Sequence, residues 1–268
     1  MLKTRIISAF FGLPIVIGVL LLGGKLFYIF IFLLSIAGLY EYYKAFLNTD
    51  YKPIPWVGYI ITIIYYLQIL INKYNFITFT ALIFIALLMI FLVIIRKGYN
   101  ILNVAITILG IIYIPFLFSN LVFIYNTSFG KFLVWLPFLT AWFSDTGAYF
   151  IGSYFGKNKL CPNLSPKKTL EGAIGGIITS AIFLAIIGII FNNANFKLNI
   201  IHYLFLGLIC GITSILGDLS ASSIKRFTKI KDFGNIIPGH GGILDRFDSI
   251  LFTAPTVFIY IAVINNLL

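Results

Sequence analysis

Residues 217–248 read GDLSASSIKRFTKIKDFGNIIPGHGGILDRFD, a polar stretch that lies between two apolar runs near the C-terminal end of the chain. The stretch holds four of the chain's eight carboxylates and five of its 19 lysines and arginines, although only 10% of all residues are charged. This concentration of charge marks the part of the chain in which chemistry is expected, and the apolar runs around it decide the fold class.

The composition outside this stretch is that of a membrane protein. Of the 268 residues, 60% are hydrophobic and 18% aromatic, and the mean hydropathy is +1.04, well above that of ordinary soluble domains. A net charge of +11 would suit nucleic-acid binding, but the basic residues are scattered between apolar runs and form no stripe. We therefore predict one integral membrane unit that lies in a lipid bilayer and has no nucleic-acid partner.

Apolar runs long enough to cross a bilayer as helices, about 17–25 residues, occur at nine places. Because the runs are continuously apolar rather than alternating, they favour helices over a β-barrel. The sequence therefore predicts an all-α polytopic membrane protein with about nine transmembrane helices. The runs cover residues 6–23, 26–46, 54–71, 76–95, 101–124, 132–151, 172–191, 200–220 and 247–266.

Lysine and arginine are unevenly distributed among the predicted loops. With a cytoplasmic N-terminus, 15 of the 19 basic residues fall on the cytoplasmic side, and each opposite loop holds one. This is the asymmetry expected of cytoplasmic loops, which are enriched in Lys and Arg. We therefore expect a multi-pass protein of the inner (cytoplasmic) membrane, with the polar loops 152–172 and 217–248 facing the cytoplasm.

Acidic residues divide the chain into two halves. Residues 1–130 contain only Glu41 and Asp50, which both lie near a predicted membrane boundary and are expected to be solvated helix ends. From Asp145 onward six acids appear, together with nearly all of the unusual loop chemistry. We predict transmembrane scaffold helices over residues 1–130 and a transmembrane catalytic region over residues 131–268.

Helical spacing places several charges on shared faces. If the eighth helix continues into the polar stretch, Asp218, Ser222 and Lys225 share a face at i, i+4 and i+7. Asp245 and Asp248 share another face at i and i+3. Carboxylates from two helix ends suit a hard divalent cation such as Mg²⁺, which prefers oxygen ligands and also contacts substrate phosphates. Ion pairs that only close a helical hairpin are the alternative.

The segment between these two helices, Pro238–Gly242, is rich in glycine. Glycine permits unusual dihedral angles, so backbone amides here can approach a ligand closely and point at phosphate oxygens. His240 can act as an acid, as a base or as a hydrogen-bond donor to a phosphate group. Acids for a metal, with bases and bare amides for phosphate, indicate a nucleotide-processing site.

Two upstream features extend this site. Asp145 lies within the sixth apolar run, toward its cytoplasmic end, and an acid inside a membrane span is a functional candidate by default; a buried structural hydrogen bond is the alternative. Lys167 and Lys168 precede the seventh helix, which can begin at 169–171 with its positive dipole end toward the loop. Paired lysines at such a boundary are also common topology signals or lipid headgroup contacts.

From Ser222 to Asp248 the sequence resembles the signature of the bacterial type of phosphatidate cytidylyltransferases, also called CDP-diacylglycerol synthases. The segments DTGAYF (145–150) and SPKKTLEG (165–172) resemble upstream motifs of the same family, so the likeness covers the C-terminal half; the N-terminal half is similar only in hydropathy. The matching positions are Ser222, Lys225, Arg226, Lys231, Asp232, Gly234, Pro238, His240, Gly241, Gly242 and the DRFD sequence that ends at Asp248.

The resemblance implies transfer of CMP from CTP to phosphatidic acid, which gives CDP-diacylglycerol and pyrophosphate in phospholipid biosynthesis. It also implies Mg²⁺, with room for a second, monovalent cation such as K⁺, and a homodimer. The metal ligands carried over by position are Asp218, Asp245 and Asp248. The catalytic positions are Lys225, Asp218, Asp248 and His240. The substrate-binding positions are Ser222, Arg226, Lys231, Lys167, Lys168, Arg246, Gly241, Gly242 and Asp145.

Other activities fit some of the same residues. A CTP-dependent polyprenol or phytol kinase of related membrane architecture would accept a lipid alcohol instead of phosphatidate. A cation transporter could use Asp145, Asp218 and Asp248 as an ion path, but it would need acids near the bilayer midplane and would not need the glycine-rich loop. A CDP-alcohol phosphotransferase is disfavoured because the sequence has no DGxxAR followed by spaced GxxxD motifs.

Overall fold

The computed structural model describes residues 2–71, 88, 100–190 and 199–264. The first described helices are α1 (Leu2–Leu22), α2 (Gly24–Phe46) and α3 (Pro55–Leu70). They are followed by α4 (Ile101–Ile111), a π-helical turn (Ile112–Phe116) and α5 (Leu117–Tyr125). The C-terminal half contains α6 (Gly130–Leu133), α7 (Trp135–Phe155), β1 (Lys159–Cys161), β2 (Ser165–Thr169), α8 (Leu170–Ile190), α9 (Ile200–Phe227) and α10 (Leu244–Ile264).

Five of the described helices are long and apolar enough to cross a membrane, and they confirm a predominantly α-helical, multi-pass membrane protein. They are Gly24–Phe46, Ile101–Tyr125, Leu170–Ile190, Ile200–Phe227 and Leu244–Ile264. Gly12–Leu22 and Pro55–Leu70 are shorter apolar helices. The predicted span 76–95 lies, apart from residue 88, outside the described residues. The number of nine spans and their orientation stay predictions.

The basic loop before α8 departs from the all-α prediction. Its residues form an antiparallel β-hairpin in which Lys159 pairs with Thr169 and Cys161 pairs with Ser165. Helix α8 starts at Leu170, where the sequence predicts a start. Thr169 Oγ1 accepts a hydrogen bond from Gly172 N over 3.1 Å, which satisfies one of the backbone donors that a helix start leaves open.

The chain divides into two compact units that do not follow a single cut along the sequence. The first unit consists of Met1–Ser119 and Thr228–Asp245, and the second of Asn120–Phe227 and Arg246–Leu268. The polar stretch is therefore divided: the glycine-rich loop belongs to the first unit, whereas Asp218 and Asp248 belong to the second.

Tyrosines build much of the core of the first unit. Tyr43 and Tyr66 are buried, and their hydroxyls bond to Thr107 O over 3.0 Å and to Ser35 Oγ over 2.7 Å. A buried tyrosine supplies apolar bulk and a hydroxyl that needs a partner. These bonds tie α2 to α4 and α3, and so fix the helix that carries Glu41.

Small residues bring α7, α8 and α9 together in the second unit. A Cβ atom at Gly176 would lie 2.6 Å from Ser144 O, and one at Gly207 would lie 2.6 Å from Ala181 Cα. Backbones in membrane helix pairs approach this closely only through small residues. The glycines of α8 and α9 therefore serve helix packing, and the close approach positions the ends of these helices around one cavity.

Candidate active site

The polar face predicted for α9 exists, because the helix runs without interruption to Phe227. Ser222 is buried, and its Oγ donates a hydrogen bond to Asp218 Oδ1 over 3.3 Å. Gly217 lets α10 approach: a Cβ atom there would lie 2.5 Å from Asp248 O. Asp218 and Asp248 therefore come from two helices in direct contact.

A cavity of about 360 Å³ lies beside Asp218 and is lined by α7, α8, α9 and the hairpin. Asp145, Lys167 and Lys168 also line it, and small residues such as Gly152 form part of its wall. Lys168 Nζ forms an ion pair with Asp218 Oδ2, and the two side chains are 27% and 28% exposed. One of the paired lysines is thus joined to the α9 acid at a place that solvent can reach.

Asp145 lies midway along α7, because that helix continues to Phe155. It lies toward the end of the apolar run 132–151, and the helix extends four residues beyond that run. Its carboxylate is exposed toward the cavity and interacts electrostatically with Asp218, and Asp248 interacts with both. Three carboxylates that repel one another in a partly apolar surrounding need nearby cations.

Basic side chains supply this compensation. Lys168 and Arg246 interact electrostatically with Asp145, and Lys225 interacts with Asp248. The structure therefore brings together, within the second unit, charges that are distant in sequence. An array of alternating acids and bases beside an accessible cavity can bind phosphate groups and a cation at the same time.

The donor set of this array suits Mg²⁺. Its acidic groups offer carboxylate oxygens, which a hard divalent ion prefers. Among the described residues, no group of three or more Asp, Glu, His or Cys side chains is arranged as a complete metal site.

Arg226 joins the end of α9 to the hairpin loop. Its Nε donates a hydrogen bond to Leu164 O over 3.2 Å. At the other end of the hairpin, Glu171 accepts hydrogen bonds from the backbone amides of Lys157 and Asn158, each over 3.1 Å. Both contacts hold the hairpin that carries Lys168 against α8 and α9.

The glycine-rich loop in the first unit forms a tight turn. His240 N donates to Ile237 O and Ile237 N donates to Gly241 O, both over 2.9 Å. Gly239 and Gly241 have φ angles of 76° and 87°, in the region that only glycine adopts easily. The ring of His240 is oriented by a hydrogen bond of 2.6 Å between its Nδ1 and Ser8 Oγ.

Asp245 has a clear structural role in this loop. It is 8% exposed, and its Oδ2 accepts hydrogen bonds from Phe233 N over 2.8 Å and Gly242 N over 3.0 Å. The amide of Gly242 is therefore used within the protein. Metal binding by Asp245 stays a prediction. Substrate binding by Gly241, Gly242 and Lys231 also stays a prediction; Lys231 is exposed in the same unit.

Glu41 is a buried acid of α2. The expectation of a solvated helix end is wrong, because Glu41 is 1% exposed and accepts hydrogen bonds from Ile243 N (2.9 Å) and Leu244 N (3.0 Å). Its partners are backbone groups 202 and 203 residues away. A hydropathy pattern carries no signal for such a pairing.

Comparisons with known proteins agree with this set of residues. A sequence model of the cytidylyltransferase family matches residues 3–264. A phosphatidate cytidylyltransferase of Bacillus subtilis (strain 168) is 30% identical over 272 residues, which cover 98% of this chain and 99% of the relative. Phosphatidate cytidylyltransferases of Staphylococcus haemolyticus and Staphylococcus aureus are 34% and 33% identical over 260 and 262 residues, each covering 95% of this chain and 96% of the relative.

The family match extends the resemblance through the N-terminal half, in which no sequence motif of the family was identified. It includes Glu41 and the glycine-rich loop as well as the acids and bases around the cavity. The chain therefore belongs to the cytidylyltransferase family of nucleotidyl-transferring enzymes.

Proposed function

We propose that this protein is a phosphatidate cytidylyltransferase, which transfers CMP from CTP to phosphatidic acid and releases pyrophosphate. Family membership and the activity named for the relatives support this reaction. The structural observation that carries it is the meeting of Asp145, Asp218 and Asp248 with basic side chains beside a cavity of about 360 Å³.

The chemistry of the reaction requires this kind of site. An oxygen of the lipid phosphate attacks the α-phosphorus of CTP, so that one P–O bond forms while the bond to pyrophosphate breaks on the opposite side. Both reactants are anions and repel each other, so charge neutralisation and alignment are the main requirements. The phosphate monoester is already largely ionised at neutral pH, and no strong general base is needed.

The basic residues of the second unit would bind the phosphates. Lys168 and Lys167 line the cavity, and Lys225 and Arg246 interact with its acids. Point charges and guanidinium groups of this kind stabilise the charge that builds on the departing pyrophosphate. Ser222 holds Asp218 in orientation through its hydrogen bond.

Asp218 and Asp248 would hold Mg²⁺, with Asp145 facing the same ion or its water ligands. The bound ion would screen the repulsion between the two substrates and polarise the α-phosphate. Metal ligation by Asp245, a second cation such as K⁺, and a direct role for His240 are proposed from the family resemblance alone.

The reaction also determines where the site must lie. CTP is soluble in water and acyl chains remain in lipid, so the two substrates can meet only at the membrane surface that CTP reaches. The excess of Lys and Arg in the predicted cytoplasmic loops supports a site on the cytoplasmic side of the inner membrane. We also propose nine spans, an N-terminus in the cytoplasm and, by resemblance, a homodimer.

A turnover assay with purified protein tests the proposed function. Labelled CTP, phosphatidate and Mg²⁺ are supplied to the wild-type enzyme and to the Asp218→Ala, Asp248→Ala and Asp50→Asn variants; Asp50 is an exposed acid in the N-terminal half. We expect CDP-diacylglycerol from the wild type and the Asp50 variant, and a loss of about 100-fold or more in the other two, the usual scale for a residue that stabilises transition-state charge.

Each alternative activity gives a different result in the same assay. Normal turnover by both alanine variants would remove the metal assignment. A wild-type enzyme that ignores phosphatidate but phosphorylates a lipid alcohol would be a polyprenol or phytol kinase. Cation flux in proteoliposomes without CTP turnover would identify a transporter.

A further inference from the structure

The glycine-rich loop and the start of α10 rest on a buried carboxylate from α2. Both oxygens of Glu41 are used: Oε1 accepts the amide of Ile243 over 2.9 Å, and Oε2 accepts the amide of Leu244 over 3.0 Å. Leu244 is the first residue of α10. Glu41 therefore caps a helix that begins about 200 residues later in the chain.

The loop backbone fits closely around this carboxylate. A Cβ atom at Gly242 would lie 2.5 Å from both Glu41 oxygens, and one at Gly234 would lie 2.6 Å from Oε1. Neither glycine has a positive φ angle. The contact with Glu41, rather than an unusual backbone conformation, is what excludes a side chain at these two positions.

The pairing is strong and directional for physical reasons. The first amides of a helix have no partner within the helix, and they lie at the positive end of its dipole, so an anion there is favoured. A carboxylate in a largely apolar protein needs such partners, because an unpaired charge is costly. Hydrogen bonds to an ionised acceptor are also stronger than those between neutral groups.

Asp245 is a second carboxylate that accepts hydrogen bonds from backbone amides of this loop. It lies one residue into α10, and its Oδ2 binds the amides of Phe233 and Gly242. Two carboxylates thus hold four backbone amides of one short segment. The backbone on both sides of the turn around His240 is thus held by hydrogen bonds to carboxylates.

We propose that Glu41 is a positioning residue of the enzyme, which holds the glycine-rich loop and the first turn of α10 in the geometry needed for catalysis. The inference rests on the proposed function, which assigns metal binding to Asp248, one turn further along α10. It gives a task in catalysis to a helix that the sequence assigns to the scaffold.

Two measurements on the wild type and on Glu41→Gln test the proposal. Glutamine keeps the size of the side chain but presents an NH₂ group to one of the two amides, so one bond is lost. We expect hydrogen exchange at residues 243 and 244 to become about tenfold faster or more, and kcat per folded enzyme to fall by about tenfold or more, the scale of one hydrogen bond to a charged group. The matched control is Asp50→Asn, in which both values should be unchanged.

A second variant disturbs the contact between Glu41 and the loop by a change in the loop itself. Gly242→Ala leaves Glu41 in place but puts a Cβ atom against its oxygens. We expect faster exchange at residues 243 and 244 and a lower kcat, as for Glu41→Gln. If one variant is not recovered as folded protein, the other variant decides.

Several outcomes would overturn the proposal. Rapid exchange of the two amides in the wild type, at the rate of exposed amides, would refute the cap without any variant. Faster exchange with an unchanged kcat would show a structural cap with no role in catalysis. A wild-type enzyme inert toward CTP and phosphatidate would instead refute the proposed function, while the exchange rates would still report on the cap.

Discussion

Asp218 is the residue on which most contacts of the candidate site converge. It accepts a hydrogen bond from Ser222, pairs with Lys168 and interacts electrostatically with Asp145 and Asp248. These neighbours lie on α7, β2, α9 and α10. One carboxylate thus links four elements of the second unit, and both a cation and two further acids are among its neighbours.

Lys168 gives the first prediction at this scale. Lys168→Gln should lower kcat/KM for CTP by about 100-fold, because it removes a cation that neutralises phosphate charge beside the cavity and leaves Asp218 without its ion-pair partner. Steady-state kinetics with purified enzyme measures the change. Lys157→Gln, an exposed lysine of the same loop, is the control and should stay near the wild type.

A result in which both lysine variants keep wild-type kinetics would return Lys168 to the role of a topology signal or a lipid headgroup contact. A decrease in protein abundance without a change in kcat/KM would have the same meaning.

Single residues were predicted well where helical spacing connects them. Asp218 and Ser222 are four residues apart on α9, and their hydrogen bond follows from the period of the helix. The Lys168–Asp218 pair joins residues 50 positions apart on different elements, so the motifs named both residues but not their contact. Glu41 was misjudged because its partners are backbone amides, which every sequence contains.

At the scale of elements, α9 extends further than its apolar run. The run ends near residue 220, but the helix continues to Phe227, because Ser222, Lys225 and Arg226 are compatible with a helix although they are polar. Hydropathy marks the part of a helix that can lie in lipid rather than its hydrogen-bonded length. The hairpin of β1 and β2 was missed for a related reason: its strands are only three and five residues long and carry no alternating pattern.

Helix packing gives a prediction about stability. Gly207→Ala in α9 should lower the free energy of unfolding by about 1–3 kcal/mol, because the added methyl group would lie 2.6 Å from the Ala181 backbone and force α8 and α9 apart. Thermal unfolding in detergent measures the loss. The matched control is Gly18→Ala in α1, which has no atom within 4 Å of the added group and should be neutral or slightly stabilising.

Equal stability of the two alanine variants would show that α8 and α9 can separate at little cost. The cavity wall would then have to be held by the hairpin and α7 rather than by this glycine contact.

At the scale of the whole molecule, composition and hydropathy predicted a multi-pass helical protein, and the described helices confirm it. Composition and hydropathy did not predict the division into two units. Residues 228–245 return to the N-terminal helices, and this return depends on contacts such as that of Glu41 with Leu244. Such contacts join distant segments and leave no periodic trace in the sequence.

The orientation of the chain is the prediction at this scale. In a background with Cys161→Ser and Cys210→Ser, a cysteine at position 157 should be labelled by a membrane-impermeant thiol reagent only from the cytoplasmic face, and a cysteine at position 131 only from the opposite face. The physical basis is the enrichment of Lys and Arg in cytoplasmic loops. Labelling of both positions from one face would require a different number of spans between them.

The long reach of Glu41 has a consequence for how the protein is made. At a synthesis rate of about 5–20 residues per second, the ribosome needs on the order of 10–40 seconds to proceed from α2 to the amides that Glu41 binds. Throughout this interval the newly inserted α2 carries a carboxylate whose final donors have not been translated. An N-terminal fragment that ends before residue 243 should therefore insert into the membrane but fold incompletely. The first unit reaches its final structure only when the start of α10 has been synthesised.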